Sequence, residues 1–405
     1  MNSALVTRRF LALLFFLASA FSVTPIYIYF FGNNGNIFSL LICFILSCLF
    51  IAFRKINLVL IIYLVFIVAL AIILAFYWLD AKLVYFPIYF LMSSIVVSYI
   101  REDELRYIVG VFSNILIFII IFSFIGFIYS ILGGDPNITF DYNGRRVFLY
   151  LTTLTNWSLY GLIRPAGIFD EPGALSFFIC FICASRHMLG FSKQKTWFLI
   201  LGGMITLSVA QVIYAFIHLL QEERKVKYSI SKVVLIASFF PLFLLAIFSE
   251  HHVVDLLYDN FIGRFMYDEN IGIVGNNRAE HISNSIDLIN LDSFFWGVSS
   301  SCITDINLCN SSFKSFGENP LSLLNLLGIG LSHVYYLVVI FFIIFGLKFR
   351  HDLCILGLAL LLLQRPNIMS FGYSLIICLS IKIVIEKYLV DDGVPKRNQP
   401  CGSWI

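Results

Sequence analysis

The chain has 405 residues, of which 60% are hydrophobic and 13% charged, and it contains 43 phenylalanines. Soluble globular domains average about 25% charged residues, so the composition excludes a typical soluble protein. The formal net charge is +3, and no run of Lys and Arg is long enough to neutralise a phosphate backbone, so nucleic acid is not an expected partner. The composition predicts an integral membrane protein.

Apolar segments of membrane-spanning length follow one another along the chain. A bilayer core of about 30 Å requires roughly 17–25 apolar residues per helix. We predict spans near residues 10–30, 37–53, 57–79, 83–100, 107–132, 173–189, 233–248, 321–346, 352–364 and 368–385, with an irregular segment at 196–220. The first segment has no small-residue cleavage site after Pro25, so we expect a retained helix rather than a signal peptide.

The distribution of Lys and Arg in short loops predicts the orientation of these spans. When the spans are followed from the N-terminus and the basic loops are assigned to the cytoplasm, that terminus and Lys195 both lie inside the cell. When the spans are followed back from the basic C-terminal tail, Arg224 lies inside and residues 249–320 lie outside. Only the apolar segment 196–220 separates Lys195 from Arg224, so a single span there would contradict both counts. A break near Thr206–Ser208 resolves the conflict by giving two short or re-entrant helices.

The first outer polar stretch, residues 133–171, ends in a motif that suits anion binding. The sequence RPAGIFDEPG places Arg164 on stiff, non-helical backbone between prolines and glycines. Such a backbone can present a guanidinium group to an anion. The alternative is an interfacial loop with a snorkelling arginine, in which Glu171 only complements the dipole of the following helix.

The second outer stretch, residues 249–320, contains a segment with helical periodicity. Residues 276–291, NNRAEHISNSIDLINL, predict a short amphipathic helix whose apolar face carries Ile282, Ile286 and Ile289. Arg278 and His281 stand three residues apart and would share a helix face. One could then bind phosphate oxygens while the other transfers a proton. A solvated polar face is the alternative.

The segment Glu318-Asn319-Pro320 places a carboxylate and an amide at the outer mouth of the next span. A helix cap at Asn319, with Pro320 in the first helical position, accounts for much of this pattern. A catalytic metal normally needs three convergent protein ligands, and no spacing in the sequence supplies them. We therefore predict no metal and no cofactor.

Together these motifs resemble the O-antigen polymerase and ligase superfamily of bacterial cell envelopes. The resemblance rests on RPAGIFDEPGALS at 164–176, TLS at 206–208, NNR at 276–278, WG at 296–297 and ENPLSLLNLLGIG at 318–330. It covers roughly residues 160–335. It implies an all-α integral membrane protein of the inner membrane, with about 11–12 transmembrane helices and a large periplasmic loop carrying short helices.

The predicted organisation follows from the spans and this resemblance. It comprises N-terminal transmembrane helices over 1–132, a first periplasmic loop over 133–171, central transmembrane helices over 172–248, a large periplasmic loop over 249–320, C-terminal transmembrane helices over 321–390 and a cytoplasmic tail over 391–405.

The resemblance implies a metal-independent glycosyltransferase that polymerises undecaprenyl-diphosphate-linked repeat units at the periplasmic face. The leaving diphosphate gains negative charge as its bond to the sugar breaks, so fixed cations are needed at that position. Arg164 and Arg278 match the arginines of the family. The expected partners are the lipid-linked glycan, the bilayer and, from the family alone, a membrane protein that regulates chain length.

The assignment of the general base stays open between two residues, Glu318 and His281. The family commonly has His where this chain has Glu318, and a half-buried carboxylate can serve as a base when its pKa is raised. His281 is the reserve candidate. Asp170 and Glu171 are expected either to orient Arg164 or to bind sugar hydroxyls. Further substrate-binding candidates are Asn319, Arg145 and Arg264.

Two other functions compete with the polymerase. A ligase of the same superfamily would transfer finished glycan to another acceptor, but there we expect the His in place of Glu318. A flippase or transporter would place ionisable residues and broken helices at the bilayer midplane, often in repeated halves. The charged residues here lie in the outer loops and no repeat is evident, although the broken segment 196–220 fits a transporter.

Overall fold

Helices make up most of the chain that the computed structural model describes, which is residues 58–78, 85–142, 145–159, 162–223, 267–268, 272–273, 277–298, 319–348, 352–364 and 370–390, with a few single residues before 58. The helices are α1 (Leu58–Trp78), α2 (Tyr85–Ser98), α3 (Glu102–Ile131), α4 (Pro172–Met188), α5 (Lys193–Gly203), α6 (Val209–Glu223), α7 (Asn277–Asp287), α8 (Leu291–Trp296), α9 (Ser322–Lys348), α10 (Leu353–Gln364) and α11 (Phe371–Ile385).

The longer helices coincide with the apolar segments predicted from the sequence. Two of them, α3 and α9, are long and apolar enough to cross a membrane. Shorter apolar stretches lie in α1, α2, α4 and α10. The predicted spans at 10–30 and 37–53 lie outside the described residues except for single positions, and the span at 233–248 lies wholly outside them.

The described part of the chain is mostly helical, as predicted, and it also contains three small antiparallel sheets that the all-α prediction did not include. Strands β1 (Ile138–Tyr142), β2 (Arg145–Tyr150) and β3 (Thr153–Thr155) form one sheet in the order β1-β2-β3. Two-stranded sheets join β4 (Ser158–Leu159) to β5 (Leu162–Ile163) and β6 (Tyr267–Asp268) to β7 (Gly272–Ile273). The burial of β1 alternates along the strand, as expected when one face of a strand covers other structure and the other is exposed. This first sheet covers one end of the helices.

Side-chain contacts establish the direction in which the helices run. His187 at the end of α4 lies 3.9 Å, Nε2 to Oδ1, from Asp352, which follows α9. Further back along both helices, the rings of Phe181 and Phe342 lie 6.5 Å apart. Helices α4 and α9 therefore run in the same direction. Arg106, near the start of α3, donates a hydrogen bond to Leu189 O at 2.9 Å, so α3 runs opposite to α4.

These directions define two ends of the helical bundle. We call one the strand end, where strands β1–β5 and helices α7 and α8 lie, and the other the histidine end, where His187, Glu222 and Asp352 meet. Helix α1 finishes at the strand end, because the rings of Tyr77 and Trp296 lie 6.2 Å apart. The alternation of helix direction agrees with the alternation that the basic loops predicted.

The irregular segment 196–220 doubles back on itself, as the charge pattern predicted. Helix α5 ends at Gly203, a 3₁₀ turn follows over Met204–Thr206, and Leu207 takes a left-handed conformation with φ 47° before α6 begins. At the histidine end, Lys193 and Glu222 form an ion pair that joins the two arms. The arms span about 16 and 22 Å at 1.5 Å per residue, less than a bilayer core of about 30 Å. The segment is a re-entrant hairpin in form.

Aromatic side chains of α4 fill the centre of the bundle. Phe178 stacks on Phe169 with ring centroids 4.9 Å apart and on Tyr373 of α11 at 5.2 Å. Phe177 and Phe181 stack at 4.4 Å, and all of these rings are buried. Helix α4 is buried along its whole length. The RPAGIFDEPG segment, which leads into α4, is therefore anchored at its C-terminal end.

Candidate functional site

Arg164 contacts the tip of the re-entrant hairpin. Its Nε donates to Thr206 O at 3.3 Å and its Nη2 donates to Leu207 O at 2.9 Å. Both carbonyl groups belong to the break, where no helical N–H is available to them. The guanidinium group therefore caps the broken helix, and these bonds fix its position and orientation. The RPAG and TLS motifs, 42 residues apart in sequence, form one unit.

The other polar groups at the break are also satisfied by side chains. Gln211 of α6 donates to Ile200 O at 2.9 Å and accepts from the Cys180 thiol at 3.3 Å. Thr206 Oγ1 donates to Gly203 O at 2.9 Å and lies 2.8 Å from Ser176 Oγ. Unsatisfied backbone groups are costly in any buried apolar environment, and these hydrogen bonds remove that cost at the break.

Strand β3 holds the segment that carries Arg164. Thr155 Oγ1 donates to Arg164 O at 2.8 Å, and Thr153 Oγ1 accepts from Gly167 N at 2.9 Å. Leu154 forms an isolated β-bridge with Gly167, whose φ is +65°. A Cβ at Gly167 would collide with Ile119 of α3, which explains the glycine in this motif. The backbone beneath Arg164 is fixed on both sides.

A second unit joins α7 to the start of α9 through buried amide groups. Asn319 is fully buried, and its Nδ2 donates to Ser285 Oγ at 2.7 Å and to His281 O at 3.3 Å. Its Oδ1 accepts from Leu321 N at 2.8 Å in the turn that leads into α9. Because α9 begins at Ser322, the prediction of Asn319 as the cap and Pro320 as the first helical residue was wrong by two positions. Further along α9, Asn325 Nδ2 donates to Ser285 O at 2.9 Å.

The face of α7 that packs against α9 differs from the predicted one. Ser285 and Leu288 are buried, whereas Ile286 is 56% exposed. The predicted apolar face was therefore wrong at Ile286, whereas Ile282 and Ile289 are partly buried. Hydrogen bonds from Asn319 and Asn325 reach Ser285 on the packed face. The predicted helix itself is confirmed over Asn277–Asp287.

Arg278 and His281 lie on the same side of α7 as Ser285. Offsets of seven and four residues bring them within about 60° of Ser285 around the helix axis. Arg278 stands in the first turn, about 10 Å along the axis from Ser285. The amide contacts of Asn319 therefore fix the backbone of α7 relative to the beginning of α9.

Helix α8 fixes the same region from the other side through two glycines. Gly297 has φ 73° and Gly328 has φ 63°, and Gly328 interrupts α9 with a non-helical conformation. Val298 N donates to Asn325 O at 2.6 Å across this crossing. The WG motif and the LLGIG motif are thus in direct backbone contact.

Both units lie at the strand end of the bundle. Arg164 precedes α4 and Asn319 precedes α9, and these two helices run in the same direction. The sequence predicted that the two polar stretches lie on one side of a membrane, and the helix directions agree with that prediction. Arg145 lies in the sheet at this end, opposite Tyr142 at the hairpin turn.

The remaining predicted site residues have varied positions. Glu171 is the N-cap residue of α4, and its side chain makes no capping hydrogen bond there. Asp170 is partly buried in the turn just before it. Glu318 and Arg264 lie outside the described residues, so their predicted roles stay predictions.

Sequence reasoning missed most of the residues that hold the motifs in place. Thr153, Thr155, Ser285 and Asn325 carried no recognisable signal, since single hydroxyls and amides occur throughout the chain. Gln211 did carry a recognisable signal, because a glutamine in an apolar segment usually finds a hydrogen-bond partner there.

Comparisons of the chain with protein-family models, with curated proteins and with solved structures find no match in any of the three.

Proposed function

We propose that the chain is a multi-pass inner-membrane glycosyltransferase that polymerises undecaprenyl-diphosphate-linked oligosaccharide repeat units into O-antigen or a related surface polysaccharide. The active site would face the periplasm at the strand end of the bundle. The observation that carries the proposal is the grouping of the motifs: RPAG is bound to TLS, and the NNR helix is bound to the NPLSLLN segment.

The apolar character of the bundle supports placement in a membrane. Helices α3 and α9 are long and apolar enough to span, and their exposed positions carry large apolar side chains such as Phe118, Phe124, Leu337 and Ile344. Exposed apolar surface of this extent is stable against lipid and is unfavourable in water. About 11–12 transmembrane passes with both termini in the cytoplasm would follow.

Arg164 fits the role of a fixed cation for a diphosphate. Its guanidinium group donates to two backbone carbonyl oxygens, which fix its position and orientation. A cation that is already oriented needs no reorganisation when the leaving group gains charge. Arginine also offers several N–H donors in a planar array, which suits phosphate oxygens.

In the proposed step, a hydroxyl oxygen of one lipid-linked repeat unit attacks the anomeric carbon of the growing chain. The bond from that carbon to the diphosphate oxygen breaks, and undecaprenyl diphosphate leaves with the electron pair. The hydroxyl proton passes to Glu318 or, in the reserve assignment, to His281. Arg164 and Arg278 stabilise the diphosphate, while Asp170 and Glu171 orient Arg164 or bind sugar hydroxyls.

Two alternatives make different use of the same features. The re-entrant hairpin favours a flippase or transporter, because discontinuous helices often line transport pathways. In this chain, however, the carbonyl groups of the break are bonded to Arg164, Gln211 and Thr206. A ligase would use the same diphosphate-binding groups with a different acceptor.

Comparison of the surface polysaccharide of a strain lacking the gene with that of the complemented strain tests the proposal. Electrophoresis of surface polysaccharide should show the polymer ladder reduced to one repeat on its acceptor, and only the wild-type gene should restore the ladder. Loss of attached glycan with accumulation of lipid-linked polymer would instead indicate a ligase. Accumulation of single lipid-linked units inside the cell would indicate a flippase. Either of these two results would overturn the polymerase assignment.

A further inference from the structure

A cluster of metal-binding side chains lies at the histidine end of the bundle, opposite the proposed active site. Three helices contribute to it: α4 supplies His187, α6 supplies His218 and Glu222, and the start of α10 supplies Asp352 and Cys354. The donor atoms of His187, Asp352 and Cys354 lie within 4.8 Å of one another. The sequence predicted no metal because these residues are far apart in the chain, and only the fold brings them together.

Two separations between donor atoms are close to those between neighbouring ligands of a metal ion. His187 Nε2 lies 3.9 Å from Asp352 Oδ1, and His218 Nδ1 lies 3.4 Å from Cys354 Sγ. Zinc binds nitrogen and oxygen at about 2.0–2.2 Å and sulfur at about 2.3 Å, so neighbouring ligands of a tetrahedron are roughly 3.3–3.6 Å apart. The separation of 3.9 Å is too long for a hydrogen bond and needs only a small contraction to fit a shared ion.

Asp352 has one carboxylate oxygen without a hydrogen bond. Its Oδ2 accepts from Lys387 Nζ at 3.1 Å and from the Tyr388 hydroxyl. Its Oδ1 is buried and has no hydrogen-bond partner. A buried acceptor that is left unsatisfied costs about 1–3 kcal/mol, and more when it is charged. A cation beside Oδ1 would remove this cost.

We propose that the cluster binds one Zn²⁺ ion through His187, Asp352 and Cys354, whose donor atoms form one compact group, and that His218 Nδ1, 3.4 Å from Cys354 Sγ, moves in as the fourth ligand. Imidazole and thiolate ligands favour zinc over magnesium or calcium, which prefer oxygen. Four protein ligands leave no open position for a substrate, so the ion is structural. It fastens α4, α6 and α10 to one another at the base of the re-entrant hairpin.

Glu222 lies beside one of the proposed ligands, where a small shift would let it accept a hydrogen bond from that ligand. Its Oε1 lies 3.7 Å from His187 Nδ1, the ring nitrogen opposite the proposed metal-binding one, and its Oε2 is paired with Lys193. Metal-bound histidines commonly donate their second N–H to a carboxylate, which fixes the tautomer and the ring orientation. Glu222→Gln should therefore weaken zinc binding by about 10–100-fold without abolishing it.

Metal content of the full-length protein, purified in detergent through a tag that contains no histidine, tests the proposal. We expect about one zinc per chain by elemental analysis, and loss of that zinc in Cys354→Ser and in His187→Ala. The matched control is Cys378→Ser, which alters a buried cysteine that contacts Ser94 and lies outside the cluster. This control should retain zinc.

Cobalt substitution gives a second readout that does not depend on activity. Protein loaded with Co²⁺ should show a thiolate-to-cobalt charge-transfer absorption that Cys354→Ser removes and Cys378→Ser keeps. Wild-type protein without zinc that also takes up no Co²⁺ would overturn the proposal, as would equal metal binding by wild type and Cys354→Ser. If Cys354→Ser fails to give monodisperse protein, Asp352→Asn replaces it in the measurement of zinc content, which should fall, and Cys354→Ala replaces it in the cobalt measurement. The site and the proposed polymerase activity can fail separately, because neither measurement involves a glycan.

Discussion

Gly297 and Gly328 cross with their backbones in direct contact. A Cβ built on Gly297 would lie 2.7 Å from Gly328 N, and a Cβ on Gly328 would lie 2.8 Å from Trp296 N. Both glycines have positive φ, which side chains rarely adopt. This crossing lets α8 dock against the break in α9 and explains why WG and LLGIG form one structural unit.

Alanine at either of these glycines should destabilise the protein by about 2 kcal/mol or more, because backbone strain and a steric clash act together. Thermal unfolding in detergent measures the effect. The control is Gly190→Ala, where φ is +70° but no atom lies within 4 Å of the added carbon. It should cost only about 1 kcal/mol of strain. Equal melting temperatures for Gly328→Ala and Gly190→Ala would contradict the crossing.

Asn319→Ala should reduce both stability and chain extension. It removes the bonds to Ser285 Oγ and Leu321 N and leaves buried groups unsatisfied, at a cost of about 2–3 kcal/mol. Because the change also frees α7, chain extension should fall further than stability alone explains. Ser283→Ala, at an exposed position of the same helix, is the control and should leave both unchanged. An Asn319→Ala protein with normal melting and normal polymer length would refute this role.

Arg164→Ala and Arg164→Lys should both lower chain extension by about 100-fold or more while the protein still inserts in the membrane. Lysine keeps the charge but cannot bond both Thr206 O and Leu207 O in the same geometry. Polymer length on gels and the rate of extension measure the loss. Arg146→Lys, an exposed arginine of the nearby sheet, is the control. Full polymer length in Arg164→Lys would show that geometry at this position is unimportant.

Single cysteines at Ser192 and Ser229 should react with a membrane-impermeant reagent from the same side, because the re-entrant hairpin returns to the end from which it started. A cysteine at Asp135, which is exposed at the strand end, should react from the opposite side. The native cysteines other than the buried Cys354 are replaced first. Opposite labelling of Ser192 and Ser229 would mean that segment 196–220 crosses once, and the proposed topology would then be wrong.

The sequence predicted the positions of the helices and the hairpin because both depend on properties that recur along the chain. Apolar length determines where a span can form, and the basic residues near Lys195 and Arg224 required a break between them. The left-handed Leu207 could not be predicted from its side chain, since leucine rarely adopts that conformation. It is tolerated because Arg164 bonds the carbonyl group that this conformation leaves open.

The parts that sequence reasoning missed depend on contacts between distant residues. Ser285 orients α7 only because Asn319 and Asn325 reach it from α9. His187 and Asp352 are 165 positions apart, so no local spacing could place them in one cluster. The strand at Ile138–Tyr142 had a local signal in its alternating apolar residues, but it is short and lies in a stretch otherwise rich in turn residues.

Chain extension by the purified protein tests the central claim most directly. Lipid-diphosphate-linked repeat units extracted from the deletion strain would be the only substrate, and wild type would be compared with Arg164→Ala, Arg278→Ala and the control Arg146→Lys. We expect wild type and Arg146→Lys to form products of increasing length with release of undecaprenyl diphosphate, and the two alanine variants to form none. Failure of folded wild-type protein to extend these units, or full extension by Arg164→Ala and Arg278→Ala, would contradict the account.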